Sequence, residues 1–197
     1  MPASIGGRMA GMTARLDLLS AGYAADRVAS TVVLIRDEGA VIVVDPGMVA
    51  DRRRILDPLA RLGVDPAMVT DVVLSHHHPD HTLNAALFER ARVHDFWAIY
   101  AGDTWTDRPA DGFALSPSVR LMATPGHTAQ DITTLADTGD GLAACTHLWW
   151  SQQGPRIDPL AEDQDLLERS RDRLLALTPA LIVPGHGAPF RPPGTSG

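Results

Sequence analysis

The chain has 197 residues, 45% of them hydrophobic, and a formal net charge of -7, which is enough chain for one well-buried domain. The acidic charge argues against non-specific binding to nucleic acids or anionic membranes, and it favours a small-molecule substrate. All 17 basic residues are arginines, which excludes chemistry that needs a lysine amine, such as Schiff-base formation.

Cysteine usage and hydropathy give expectations about the compartment. Cys145 is the single cysteine, so no disulfide can form within the chain. Residues 1–16 lack the long apolar run of a signal peptide, and no stretch approaches the roughly 20 apolar residues that cross a bilayer. We expect a soluble, cytoplasmic protein without membrane contact.

The first half of the chain is typical of a β-meander followed by a helix and a buried strand. The predicted strands are 17–21, 30–36, 40–44 and 68–74. Helical spacing of apolar residues predicts a helix over 52–62, in which Pro58 implies a kink or a late start. The strand at 68–74 leads into a histidine-rich loop, after which a short helix is predicted around 83–88.

The second half contains three strands that each end in a histidine turn. The predicted elements are strands at 91–94, 119–123, 131–136, 142–146 and 181–183, and a helix at 163–177. His127, His147 and His186 follow three of these strands directly, which predicts that they meet at one sheet edge. We expect a single domain over 1–197, with flexible ends at about 1–15 and 192–197.

Seven of the eight histidines lie in the loop or at the three later strand ends, and only His94 lies elsewhere. Within the loop, His76, His78, Asp80 and His81 offer nitrogen and carboxylate donors at a spacing that lets two face one metal and two another. A surface histidine loop with incidental metal affinity is the alternative, which the three strand-end histidines disfavour. The pattern predicts a site for one or two metal ions.

The segment Ser75–Thr82 resembles the His-x-His-x-Asp-His signature of the metallo-β-lactamase superfamily, and the likeness extends over about 30–191. The segments 168–171 and 183–191 are similar to the short animal metallo-β-lactamase-domain-containing proteins, a subgroup linked to RNA processing. The resemblance implies an α/β fold, a four-layer αββα sandwich with the metal site at one edge of its two sheets.

The resemblance also implies roles for individual residues. The first metal would be bound by His76, His78 and His127, and the second by Asp80, His81 and His186. Asp45 would be a buried aspartate that orients a ligand histidine, and the alternative is that Asp45 is a simple turn residue.

His147 departs from the family pattern, because the family has an aspartate there that bridges two metals. A neutral imidazole has one free lone pair and cannot bridge two ions as a carboxylate does, short of forming imidazolate. We therefore expect a mononuclear or loosely dinuclear centre, with His147 either a ligand or a proton donor to the leaving group. Zinc is the expected metal, with iron and manganese as alternatives.

These residues predict a metal-dependent hydrolase in which activated water attacks a small ester, lactone, thioester or phosphoester. Asp80 would orient the water, so Asp80 and His147 are the candidate catalytic residues. The tryptophans after His147, and the aromatic residues at 97, 100 and 105, are candidates for the pocket wall, although core packing explains at least half of them equally well.

Three other functions stay open at this point. They are an RNA or phosphodiester nuclease, an iron-dependent redox enzyme, and a non-catalytic metal-binding domain. The nuclease is disfavoured by the net acidity, and the run of arginines at 52–54 is more typical of a solvated helix face than of a phosphate track. A homodimer also remains open.

Overall fold

The computed structural model describes residues 13–192, so the flexibility expected for 1–12 and 193–197 lies outside the described residues. The elements in chain order are β1 (Arg15–Ser20), β2 (Tyr23–Ala24), β3 (Val28–Ala29), β4 (Val32–Asp37), β5 (Ala40–Val44), α1 (Arg53–Arg61), β6 (Asp71–Val73), α2 (Pro79–Thr82), β7 (Arg92–His94), β8 (Ala98–Ala101), β9 (Thr104–Asp107), β10 (Ala114–Ser116), β11 (Val119–Ala123), β12 (Ile132–Thr138), β13 (Gly141–Thr146), α3 (Gln164–Leu175) and β14 (Leu181–Pro184). Single 3-10 turns cover Pro66–Met68 and Ala85–Leu87.

The strands form two large sheets. One has seven strands in the order β1-β4-β5-β6-β7-β8-β9, and the other has five in the order β10-β11-β12-β13-β14. Strands β5, β6 and β7 are parallel neighbours, and so are β13 and β14. Because parallel neighbours need a crossover, α1 lies between β5 and β6 in the chain, and α3 lies between β13 and β14.

The main core lies between the two sheets. Side chains of the first sheet, such as Ile35 and Ile42, form one buried cluster with Leu121 and Ile132 of the second sheet. These residues alternate with neighbours that face the other way, as expected for strands covered on both faces.

A helix covers the outer face of each sheet. Ile55 and Leu59 of α1 pack on the seven-stranded sheet, and Leu167 and Leu174 of α3 pack on the five-stranded sheet. The resulting order of layers is helix, sheet, sheet, helix, so the predicted αββα sandwich is confirmed.

Several local expectations were wrong. Pro58 does not delay α1, which begins at Arg53 and continues through the proline. The helix predicted around 83–88 is a 3-10 turn, because the α-helix occupies Pro79–Thr82 inside the histidine motif, where proline is favoured at the first helical position. The short strands β2, β3, β8, β9 and β10 were not predicted.

None of the helices within residues 13–192 has both the length and the apolar character that a bilayer crossing requires.

Candidate metal centre

The ends of four strands deliver the predicted donors to one place. The histidine loop begins just after β6, and His127 follows β11 by a short turn. His147 comes directly after β13, and His186 comes two residues after the end of β14. All seven predicted site residues therefore lie at the same edge of the sandwich, where the two sheets meet.

The donors form overlapping groups in which one ligand atom per residue lies within 4.8 Å of the others. One group is His76, His78 and His127, and another is Asp80, His81 and His186. These are the same two groups that the family resemblance implies. A third group joins His76 and His81 to His147.

The geometry fits a divalent cation. Nε2 of His127 lies 3.1 Å from Nδ1 of His78, and Nε2 of His147 lies 3.1 Å from Nε2 of His186. Two nitrogens that bind one tetrahedral ion at zinc-like bond lengths would be about 3.3 Å apart. The short separations therefore match shared ligation.

Ring nitrogens without hydrogen-bond partners also indicate a cation site. Within residues 13–192, the buried Nε2 of His76, Nε2 of His81 and Nδ1 of His147 have no hydrogen-bond partner. An unpaired buried polar atom costs about 1–3 kcal/mol, and cations held in the two donor groups would partner Nε2 of His76 and Nε2 of His81. The donor set is thus that of a divalent-metal centre.

The opposite ring nitrogens are held by the protein. Nδ1 of His81 donates to Asp45 Oδ2 at 2.9 Å, and Nδ1 of His186 donates to the Ala29 carbonyl at 2.9 Å. Asp45 is buried in the left-handed backbone region at φ 50°, and its other oxygen accepts the Ser75 N–H at 2.7 Å. These bonds fix the tautomer that leaves Nε2 free for a cation.

Asp158 was missed by the sequence reasoning. It is buried, and its Oδ2 accepts a hydrogen bond from Nδ1 of His127 at 2.8 Å. Asp158 lies in an irregular segment far from the histidine motif, where neither periodicity nor spacing marks it. Only the tertiary contact reveals its role.

Burial and mutual repulsion keep most of the imidazoles neutral. The pKa values of His76 and His147 lie well below the usual value, first because of burial and then because of neighbouring imidazoles. The pKa values of His78 and His186 are also lowered, chiefly by burial. For His81, burial lowers the pKa but the carboxylates of Asp45 and Asp80 outweigh it and raise it. Neutral imidazole is the form that binds metals.

His147 lies at the centre of the cluster. Its ring centroid is 4.1 Å from that of His127, 4.6 Å from that of His76 and 4.8 Å from that of His81. A side chain at Gly185 would overlap with the His147 ring, so the glycine of the last histidine turn makes room for this imidazole. His147 therefore contacts both donor groups.

A pocket of about 340 Å³ opens beside the cluster. Its lining consists of the metal-site residues His78, Asp80, His127, His147 and His186 together with Ala24, Ala25, Val28, Trp150 and Leu160. Among the predicted aromatic residues, Trp150 alone lines this pocket, because Trp149 packs near Phe190 and Arg171. The hairpin β2–β3, which the sequence did not predict, supplies the opposite wall.

The two histidines outside the cluster have structural partners. His94 forms a buried pair with Asp71, with 2.8 Å between Nε2 and Oδ1. His77 belongs to none of the donor groups, and its Nε2 lies 3.0 Å from Asp95 Oδ2.

The αββα layers and a histidine–aspartate centre at the sheet edge are together the features of a metallo-hydrolase fold. Residues 25–100 match the sequence profile of the Metallo-beta-lactamase superfamily. The chain belongs to the metallo-beta-lactamase superfamily.

Individual relatives agree with this assignment. The chain is 32% identical over 158 residues to metallo-beta-lactamase domain-containing protein 1 of Xenopus laevis, covering 76% of this chain and 67% of that protein. It is 36% identical to the Homo sapiens protein of the same name, covering 76% of this chain but only 59% of the relative. A quorum-quenching N-acyl homoserine lactone lactonase shares the fold with a TM-score of 0.65 and 18% identity, covering 90% of this chain and 93% of that one.

The hydrogen bond from His81 to Asp45 can be tested with Asp45→Asn, which removes the charge and replaces one of the two accepting oxygens with an NH2 group. Asparagine tolerates the left-handed backbone conformation, so Asp45→Asn should fold. We expect its zinc affinity, measured by chelator competition, to fall by about 10–100-fold, because a neutral amide supports the ligand imidazole less well. The exposed Asp140 provides the matched control, and an equal loss in Asp140→Asn would contradict this role.

The lowered pKa values predict how the chelator-treated protein responds to acid. Below pH 6.5 the unfolded chain protonates its histidines, whereas His76 and His147 stay neutral when folded, so the free energy of unfolding should fall between pH 7 and pH 5. Each such imidazole contributes about 1.4 kcal/mol per pH unit well below pH 6.5. His81, with its raised pKa, and Asp131, whose pKa burial raises to about 6, increase the free energy of unfolding as the pH falls. They are fewer than the four histidines whose pKa values are lowered.

Urea denaturation at several pH values measures this dependence. His76→Asn removes one of the neutral imidazoles and should give a shallower decline than the parent. A free energy of unfolding that is constant or rises towards pH 5 would show that the assignment is wrong.

Proposed function

We propose that this protein is a metal-dependent hydrolase of small ester, lactone or thioester substrates, in which the histidine–aspartate cluster holds one or two zinc-type ions. The observation that carries the proposal is the convergence of seven donors from four strand ends beside an open pocket. The proposed ligands are His76, His78 and His127 at one position, and Asp80, His81 and His186 at the other.

A cation held there supplies Lewis acidity, which makes water nucleophilic near neutral pH and polarises the bond to be cleaved. The side chains of Asp80 and His147 provide the other catalytic functions. Asp80 lines the pocket, with Oδ2 at 3.5 Å from Nε2 of His81 and 3.5 Å from Nε2 of His186, where it can orient the attacking water and accept its proton. His147 also lines the pocket and is either a further ligand or the proton donor to the leaving group.

The pocket wall favours an uncharged substrate. Ala24, Ala25, Val28 and Leu160 give the pocket an apolar side opposite the donors, and none of the described lining residues is an arginine. Apart from the proposed cations, this lining offers no cationic side chain to contact the flanking phosphates of an RNA chain. The similarity to a lactonase of the same fold also supports an ester-type bond.

We further propose that the protein acts in the cytoplasm on a small molecule. Cys145 is a free, buried thiol, which agrees with a reducing compartment.

A matched pair of variants tests the hydrolase proposal. His127→Ala removes a ligand, and we expect it to lower hydrolysis by at least about 100-fold and to lower the bound zinc. His77→Gln changes a histidine of the same loop that lies outside the cluster, and it should leave both measurements close to those of the parent. The assay is a panel of ester, lactone, thioester and phosphodiester substrates with metal content by mass spectrometry. A parent protein that binds zinc but hydrolyses none of the ester, lactone and thioester substrates would contradict the proposal.

His147→Asp tests whether the neutral imidazole limits metal occupancy. A carboxylate at this position can bind two ions through its two oxygens and adds a negative charge to the site. We expect the metal content to rise from near one to near two ions per chain. An unchanged stoichiometry would contradict this account of His147.

A further inference from the structure

Asp158 connects the metal cluster to the wall of the substrate pocket. Its Oδ2 accepts one hydrogen bond from Nδ1 of His127 at 2.8 Å and a second from the indole Nε1 of Trp150 at 3.0 Å. The carboxylate is buried, with 5% of the residue exposed. A single carboxylate oxygen therefore joins a proposed metal ligand to the aromatic side chain of the pocket.

Trp150 is well placed to respond to the metal site. It lines the pocket, and its ring centroid lies 6.5 Å from that of His127 and 5.8 Å from that of His186. Its indole N–H has the Asp158 carboxylate as its acceptor, so the strength of that hydrogen bond influences the orientation of the indole.

The segment that carries Trp150 and Asp158 is anchored to α3. Arg171, which is buried, donates to the carbonyl of Leu148 at 2.8 Å and to the carbonyl of Arg156 at 3.1 Å. The N–H of Asp158 donates to Gln164 Oε1 at 3.1 Å. With the backbone fixed at both ends, a change at Asp158 Oδ2 acts on the indole rather than on the segment as a whole.

We propose that Asp158 is a positioning residue that couples metal binding by His127 to the orientation of Trp150 at the pocket wall. This inference rests on the metal site proposed above. A cation on Nε2 of His127 makes its Nδ1–H a stronger donor, which strengthens the bond to Asp158 Oδ2. The same oxygen then has less capacity for the Trp150 indole, so the pocket wall adjusts when the metal is bound.

The experiment uses the full chain with Trp150 as the single tryptophan, made by Trp97→Phe, Trp105→Phe and Trp149→Phe. Zinc is a suitable probe because it is redox-inert. Zinc addition should shift the Trp150 emission of this parent. With Asp158→Asn added, the shift at saturating zinc should disappear, and zinc affinity by chelator competition should fall by about 10–100-fold.

Asp163→Asn is the matched control. Asp163 caps α3 by accepting the Leu166 N–H at 2.8 Å, and asparagine caps a helix equally well, so this change neutralises a nearby carboxylate without touching His127 or Trp150. Its emission shift and zinc affinity should equal those of the parent. An equal loss in both variants would overturn the inference, because the effect would then follow from charge alone.

The remaining outcomes separate the two proposals. If Asp158→Asn keeps the emission shift at saturating zinc, Trp150 senses the cation directly and the coupling is wrong, while the metal site stands. If the parent binds no zinc, the metal site and the coupling both fail. If Asp158→Asn does not fold, the indole N–H resonance of Trp150 in the parent replaces it as the readout, and a resonance that zinc does not move overturns the coupling.

Discussion

Five buried imidazoles crowd one edge of this protein, and their desolvation is the constraint on which the rest of the site depends. Burial and mutual repulsion favour the neutral form of most of them, and neutral imidazole is the ligand form. Three of their ring nitrogens have no partner within residues 13–192. The cluster therefore carries little positive charge of its own. A divalent cation bound by these nitrogens would supply both the charge and the missing partners.

The fold provides this cluster through its topology. Strands β6, β11, β13 and β14 end at the same edge, and each is followed by a short turn that carries a histidine. The parallel pairs formed by β6 and β14 depend on the crossovers through α1 and α3, whose apolar faces cover the outside of the sandwich. Positions of single atoms also matter, because a side chain at Gly47 would overlap with the backbone of Asp80.

The groups behind the donors set how the site works. Asp45 and Asp158 each hold the far nitrogen of one histidine, which orients the ring and increases its basicity. Asp158 also accepts from Trp150, so the wall of the pocket and the metal site share one hydrogen-bond network. The apolar residues of the β2–β3 hairpin complete the wall of this pocket.

The sequence by itself indicated a metal site, because strong strand patterns lead directly into histidine turns and the spacing of His76, His78, Asp80 and His81 is specific. Its resemblance to the superfamily implied the class of fold and the two donor groups. It also drew attention to Asp45. The sequence could not determine the β2–β3 hairpin, the role of Asp158 or the central position of His147. Those features depend on contacts between residues far apart in the chain, such as the 31 positions that separate His127 from Asp158, and local periodicity carries no information about such contacts.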